Sequence, residues 1–324
     1  MDASSRGWIR ELGRSGISTT AIALGLAALG RPGYLNLGHG TDFEDHSVQG
    51  MADRAHEVLD AAYRAGVRHF DAARSYGRAE EFLGSWLRSR SLQPGEVTVS
   101  SKWGYTYTAD WRVDADPPEV KDLTADTFRR QLGETRELLG DYLLLYQIHS
   151  ATVSSGVLDD GAVLTDLEAL RSTGVAVGAS VTGTEQAATI ERLVQTGIFA
   201  TVQATWNLLE RSAGDALQDA HEAGLGVIIK EALANGRLTS RGGIEPLARA
   251  ASRTGVSEDA LALAGVLARP WVDTVLSGAS TVDQLESNVA AFTVAWDPAL
   301  EDELATLIES PGSYWETRAN LRWT

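Results

Sequence analysis

The 324-residue chain contains no cysteine, which removes disulfides, thiolate catalysis and cysteine-ligated zinc from the chemistry open to it. Lysine is almost as scarce. Of 28 basic residues only three are lysine, Lys102, Lys121 and Lys230, so each of them carries more information than usual. No apolar stretch reaches the roughly 18 residues that a transmembrane helix needs. The opening Met1-Asp2-Ala3-Ser4-Ser5 lacks the basic region and apolar core of a signal peptide, and the expected compartment is the cytoplasm. Positive charge is also in deficit. A formal net charge of −16 argues against nucleic acid, whose phosphates call for clustered Lys and Arg, and against anionic membranes. The partner expected is a small molecule, taken up by a monomer or a homo-oligomer. Several motifs are missing as well: no strand runs into G-x-G-x-x-G, and neither a G-x-S-x-G elbow nor a P-loop occurs. The six histidines, His39, His46, His56, His69, His149 and His221, form no zincin pair, so no metal site is expected.

What the chain does have is alternation. Residues 8–18 read as a small hairpin with a glycine-containing turn. Apolar strand-like runs follow at 21–25, 67–71, 96–102, 142–148, 175–180, 200–204, 225–230 and 272–276. Helical patterns lie between and after them, at 51–65, 78–90, 124–139, 161–173, 184–196, 213–223, 257–268 and 281–292, with a further one at 244–254. In the first of these Ala55, Val58, Leu59 and Ala62 recur at helical spacing. Gly66, Gly174, Gly197 and Gly224 each precede a strand, where a left-handed helix terminus is expected. Eight β-α units predict an α/β fold with a parallel sheet, and at this length a closed (β/α)8 TIM barrel rather than an open doubly wound sheet. The expectation is one barrel domain over residues 1–324, with an N-terminal β-hairpin and long rim loops at 26–47 and 103–121. The tail, residues 310–324, carries Tyr314, Trp315 and Trp323 and is expected to pack on the barrel.

The active site of such a barrel lies at the C-terminal ends of its strands. Asp71, Tyr76, Lys102, His149, Ser180, Gln203, Trp206, Asn207 and Lys230 fall there. Any one of them alone reads better as a solvated rim residue or a satisfied rim hydrogen bond. Four different titratable types at the ends of three successive strands are harder to dismiss. A phenol is a poor acid, with a free pKa near about 10, but an adjacent ammonium favours the phenolate. Lys102 can supply that ammonium, Asp71 can hold and balance it, and His149 can hydrogen-bond a substrate oxygen. The set can protonate a carbonyl oxygen. No side chain donates hydride, so a nicotinamide cofactor is implied.

These residues resemble the aldo-keto reductase superfamily over nearly the whole chain. The likeness starts at Arg10-Glu11-Leu12-Gly13-Arg14-Ser15-Gly16-Ile17 and is strongest in Phe70-Asp71-Ala72-Ala73-Arg74-Ser75-Tyr76-Gly77. It continues through Ser101-Lys102-Trp103, Gln147-Ile148-His149-Ser150 and Val202-Gln203-Ala204-Thr205-Trp206-Asn207, and closes with Leu276-Ser277-Gly278-Ala279 and Gln284-Leu285-Glu286-Ser287-Asn288. The resemblance implies reversible, NAD(P)H-dependent reduction of an aldehyde or ketone, with Tyr76 as general acid, Lys102 and Asp71 tuning it and His149 orienting the carbonyl. It also implies a cofactor site of Ser180, Gln203, Lys230, Leu233, Arg237, Gly278, Ser280, Gln284 and Asn288. Val181 stands where the family usually has Asn, and Lys230 where an aromatic ring often stacks. The run Gly278-Ala279-Ser280-Thr281-Val282 carries no positive charge to meet a 2′-phosphate. NADP(H) is therefore the expected cofactor, with weak preference over NAD(H). Tyr34, Trp103, Trp111 and Trp206 are the expected substrate-pocket aromatics, with Tyr105 beside them. Two alternatives stay open: a cofactor-binding, channel-subunit-like regulatory protein with little turnover, and another barrel enzyme such as an isomerase or lyase.

Overall fold

The computed structural model describes residues 8–33, 36–37 and 45–321. It opens with an antiparallel hairpin of β1 (Ile9–Glu11) and β2 (Ser18–Thr20). Then come β3 (Ile22–Gly25), β4 (His69–Asp71) and β5 (Thr98–Trp103). A second hairpin, β6 (Tyr105–Tyr107) with β7 (Glu119–Lys121), interrupts the series. The strands resume with β8 (Leu143–Ala151), β9 (Ala176–Val181), β10 (Thr201–Thr205), β11 (Gly226–Lys230) and β12 (Thr274–Ser277). β3, β4, β5, β8, β9, β10, β11 and β12 pair in parallel in chain order, and β12 returns to β3 to close the barrel. The eight-stranded α/β barrel and the N-terminal hairpin are as the alternation predicts.

Helices cover the strands from outside. α1 (Ala27–Gly30) and α2 (Val48–Arg64) follow β3, and α3 (Ala79–Ser89) follows β4. α4 (Ala125–Leu139) follows the second hairpin, α5 (Gly161–Ser172) follows β8, α6 (Gln186–Thr196) follows β9, and α7 (Gly214–Glu222) follows β10. α8 (Glu245–Thr254) and α9 (Glu258–Leu267) follow β11, α10 (Val282–Val289) follows β12, and α11 (Pro298–Leu304) and α12 (Pro311–Asn320) close the chain. Local chemistry sets their ends. Ser47, Thr124, Ser257, Thr281 and Ser310 each accept a backbone N–H at a helix start, satisfying donors the helix cannot. Met51, Ala55, Val58, Leu59 and Ala62 make the buried face of α2.

Parallel strands are covered on both faces, and all six residues of β5 are buried. Side chains alternate. Phe70 faces outward onto Trp86 of α3, ring centroids 5.1 Å apart, and Tyr146 onto Phe128 of α4 at 6.1 Å. The opposite parity points into the barrel. The first hairpin plugs the N-terminal end: buried Leu12 joins Leu145 and Ile228, and its turn is tied by Gly13 N–H to Asp273 Oδ2 at 3.1 Å and Arg14 N–H to the Gly224 carbonyl at 2.9 Å. That leaves the other rim for chemistry. The tail is anchored by Tyr314, buried, whose hydroxyl accepts from Asn207 Nδ2 at 3.0 Å. Among the described residues no helix is long and apolar enough to cross a membrane.

Two expectations needed adjustment. Residues 103–121 are not wholly loop, because β6 and β7 are strands of three residues each, too short for a periodic pattern to stand out. The last predicted helix ends as an α-helix at Val289 and tightens into a 3-10 turn over Ala290–Thr293. Tyr34 and Trp323 lie outside the described residues.

Candidate active site

Period-two alternation delivers Asp71, Lys102 and His149 to the barrel interior at the ends of β4, β5 and β8. The Lys102 ammonium pairs with Asp71 Oδ2 and donates to the Ala72 carbonyl at 3.0 Å. Both side chains are 1% exposed. Asp71 Oδ1 also accepts from Ser100 Oγ at 2.6 Å and from Gln147 Nε2 at 3.3 Å. Behind them His69 bridges Ser100 Oγ and Thr19 Oγ1, each at 2.9 Å. Burial, the dominant influence, pulls the His69 imidazole down to about 4, so the ring is neutral and links rather than charges the interior. The carboxylate on β4 is thus fixed from two further strands, β5 and β8, before any substrate arrives.

Tyr76 comes from the turn after β4. That turn packs against the segment after β3 at contacts only glycine allows: a Cβ on Gly30 would stand 2.1 Å from the Tyr76 carbonyl oxygen, and one on Gly77, whose φ is +59°, 2.6 Å from Arg31 Cβ. Arg74, on the same turn, is clamped by Glu80 and Glu134; Glu80 in turn accepts from Ser101 Oγ at 2.6 Å and Thr135 Oγ1 at 2.8 Å. So held, the Tyr76 ring lies 5.0 Å from Lys102 Nζ and 5.5 Å, edge-on, from the His149 ring. His149 is held well below the ordinary imidazole range, first by burial and then by the fields of Lys102, Lys230, Lys121 and Arg31. It is neutral and able to donate one N–H.

The rim around this group is built from elements the sequence left as loops. Tyr105 on β6 packs edge-on to His149 at 5.0 Å. Lys121 on β7 sits 5.7 Å from the Tyr105 ring and donates to the Ser150 carbonyl at 2.7 Å. Arg31, buried, stacks on Tyr107 and pairs with Glu119 at 3.3 Å. Across the mouth Lys230 donates to Thr205 Oγ1 at 3.0 Å and lies 3.7 Å from Glu231, which is chelated by Arg318 of α12. Burial brings Lys230 down to about 8; Glu231 sits near 2 despite burial, because Lys230 and Arg318 oppose it. Ser150 and Glu231 both adopt left-handed backbone, φ +57° and +53°, strain of about 1–3 kcal/mol each held at the rim.

A groove leads away from Asp71 and Tyr76 along the rim, with an inner cavity of about 240 Å³. It passes Gln203 and Lys230, then Leu233, Asn235 and Gly236, and ends among Ser277, Gly278, Gln284 and Asn288. Asn288 Nδ2 donates to Ser277 Oγ at 2.8 Å, and Gln284 Oε1 accepts from Ser280 N–H at 2.9 Å. The buried Nε2 of Gln203 has no hydrogen-bond partner among the described residues. A buried amide donor without a partner, opening on a groove, suits a carboxamide acceptor. The groove residues therefore fit a carboxamide-bearing cofactor, which Gln203 would hold. Beyond its far end a second hollow is lined by Arg54, Glu57, Arg241 and residues 281–284. Two arginines, from α2 and from the turn at Ser240–Gly242, thus stand beside a segment that carries none of its own.

Not every expected residue reaches the groove. Arg237 pairs with Glu309 and stacks on Tyr314, facing the tail. Ser180 Oγ is occupied by Ser150 N–H at 2.8 Å. Trp103 packs on Phe128 and Trp206 on Trp271, both in the core outside the barrel wall, and Trp111 donates to the His46 carbonyl. Sequence adjacency to a site residue puts a strand side chain on the opposite face, which is why Trp103, next to Lys102, points away. Residues passed over by the sequence argument include Arg31, Glu119, Arg318, Arg54 and Arg241. Lys121 had a signal, the rarity of lysine.

Comparison with known proteins bears on the family and the fold. The sequence model of the Aldo/keto reductase family matches residues 36–307. The chain is 25% identical to L-galactose dehydrogenase of Arabidopsis thaliana, over 97% of this chain and 96% of that one. It is also 25% identical to pyridoxal 4-dehydrogenase of Microbacterium luteolum, over 94% and 97%. The fold is shared with an aldo-keto reductase from Bacillus halodurans in its holo form, at a TM-score of 0.72 and 20% identity, covering 93% of this chain and 96% of that one. With the closed barrel and a match spanning most of the chain, this protein belongs to the aldo/keto reductase family of oxidoreductases.

Proposed function

We propose that the protein reversibly reduces an aldehyde or ketone to the alcohol, using NADP(H) or NAD(H), with Tyr76 as the proton donor. The observation that carries this reading is the Lys102 ammonium, fixed by Asp71 and 5.0 Å from the Tyr76 ring, beside a groove lined by both Asp71 and Tyr76. When bound, the nicotinamide supplies a hydride to the carbonyl carbon. Gln203 would hold its carboxamide, and Leu233, Gly278, Gln284 and Asn288 would line the rest. Tyr76 gives its hydroxyl proton to the carbonyl oxygen, and Lys102 stabilises the phenolate left behind. Asp71 keeps the ammonium in place, and neutral His149 donates a hydrogen bond to the same oxygen and fixes its direction. In the reverse direction the phenolate takes the proton back.

The hollow beyond the groove sharpens the cofactor choice. Arg54 and Arg241 would attract a 2′-phosphate there, while Glu57 and Asp283 line the same hollow and oppose it. This balance supports use of both cofactors, with NADPH favoured by less than about a hundredfold, roughly 2.7 kcal/mol. Residues 1–324 are proposed to act as one barrel domain, since Tyr314–Asn207 and Arg318–Glu231 tie the tail to the rim. The decisive test is Tyr76→Phe, assayed by loss of reduced-nicotinamide absorbance across a panel of aldehydes. Its kcat should fall by at least about a hundredfold, in line with general acid catalysis. Near wild-type kcat would remove Tyr76 from the role, and cofactor binding without turnover of any carbonyl would favour a regulatory protein.

A further inference from the structure

His69 is a buried titratable group that neither touches substrate nor moves a proton in the reduction. It sits on β4 two residues before Asp71, and its ring joins the plugging hairpin to the site. An unbroken run of hydrogen bonds passes through it: Thr19 Oγ1 to His69 Nδ1 at 2.9 Å, His69 Nε2 to Ser100 Oγ at 2.9 Å, and Ser100 Oγ to Asp71 Oδ1 at 2.6 Å. None of these four residues is more than 1% exposed. What each atom can do fixes the direction of the run. Asp71, ionised against Lys102, only accepts, so the single Ser100 hydroxyl proton points to it. Ser100 Oγ must then accept from His69, which places the ring proton on Nε2. A neutral ring protonated at Nε2 accepts at Nδ1, and the Thr19 hydroxyl donates there. All three dipoles therefore turn their positive ends toward Asp71.

We propose that Thr19, His69 and Ser100 form a one-way hydrogen-bond chain through which the N-terminal hairpin tunes Tyr76, with His69 and Ser100 as positioning residues for the Asp71–Lys102 pair. This rests on the reductase reading above and deepens it at the same site. Asp71 opposes Lys102 in the field that reaches Tyr76. A donor aimed at Asp71 offsets part of its charge and leaves more of the ammonium's field to stabilise the phenolate. Bonds aligned in a chain polarise one another, and in a low-dielectric interior their field carries further than in water. Asp71 and Lys102 act on His69 in opposite senses, while burial outweighs both and holds the ring down to about 4. The chain therefore keeps its direction at neutral pH. At its other end Lys102 and the neutral His149 face the Tyr76 ring.

The test uses the full-length holoenzyme, Ser100→Ala, which removes the last donor, and His69→Leu, which breaks the chain one step back. The kcat is followed against pH with saturating NADPH on whichever of 4-nitrobenzaldehyde, butanal and glyceraldehyde turns over fastest, and with NADP+ on the matching alcohol. Tyr76 must be protonated for reduction and ionised for oxidation, so its titration ends the first activity and begins the second. In either variant both limbs should move up by about 0.5–1 pH unit, the worth of one neutral hydrogen bond, with KM within about twofold of wild type. Limbs that stay in place, or losses of rate without a shift, overturn the inference, since the chain would then only support the fold. A second readout needs no turnover: nitrogen-15 spectra of histidine-labelled protein without cofactor, with the His69 signal identified by its loss in His69→Leu or its displacement in Thr19→Val. The Nε2–H tautomer is expected at neutral pH. The Nδ1–H tautomer overturns the direction of the chain, because Ser100 would then donate to His69 and leave Asp71. Limbs that survive Tyr76→Phe overturn the assignment of Tyr76 as acid and base; limbs that vanish in Tyr76→Phe yet stay in place in Ser100→Ala overturn this inference alone.

Discussion

Removing one member of the Lys102–Asp71 pair should damage the protein far more than removing both. Lys102→Met leaves the Asp71 carboxylate, 1% exposed, with two neutral donors, Ser100 Oγ at 2.6 Å and Gln147 Nε2 at 3.3 Å. Asp71→Asn leaves the ammonium with the Ala72 carbonyl at 3.0 Å and the Tyr76 ring at 5.0 Å. Neither remainder compensates a full buried charge, and each single change should cost about 3–5 kcal/mol. The double variant leaves no buried charge at this point, so its loss should stay within about 2 kcal/mol of wild type. The coupling energy then comes to about 4 kcal/mol or more, since the single losses sum to at least about 6. Urea denaturation followed by tryptophan fluorescence at neutral pH measures all four corners of the cycle. Activity separates from stability in the same set: the double variant should be nearly as stable as wild type yet as inactive as either single variant, because Tyr76 has lost its ammonium. Additive single losses below about 1 kcal/mol would refute the buried pair, and a double variant with restored turnover would refute the role of Lys102.

The neutral His69 makes stability depend on pH. Its folded value of about 4 lies below the roughly 6.5 of the unfolded chain, so the unfolded state takes up the proton first. Its contribution is complete above about pH 6.5 and is lost as pH falls toward about 4, a change of about 3 kcal/mol. The stability gap between wild type and His69→Gln should shift by that amount between pH 7 and pH 4, and a pH-independent gap sinks the argument. Glu80→Gln strips the 1%-exposed carboxylate that clamps Arg74 on the Tyr76 turn. It should cost about 3 kcal/mol and lower kcat/KM, whereas a loss under about 1 kcal/mol in the unfolding free energy from urea denaturation would show that Glu134 suffices. Arg241→Ala should weaken NADPH binding about tenfold, the value of one charge-assisted contact, and leave NADH binding unchanged. A wild-type Kd for NADPH more than about a hundredfold tighter than for NADH contradicts the balanced hollow.

By itself the sequence determined the closed barrel, through eight apolar runs alternating with helical patterns, and it placed Asp71, Lys102 and His149 on one rim. That much is local: strand ends and a period of two follow from the order of residues. It also flagged the lysines, because three among 28 basic residues is a compositional fact. It did not decide which way neighbouring side chains face across the barrel wall, so Trp103 and Trp206 were expected in a pocket and lie in the core. Nor could it bring Arg237 to Glu309, Arg241 to the start of α10, or Arg318 to Glu231, contacts made across separations of 40 to 87 residues or so. Charge balance at the mouth is of the same kind. An electrostatic field sums over distance in space, and only the folded chain sets which of its few cations stand together.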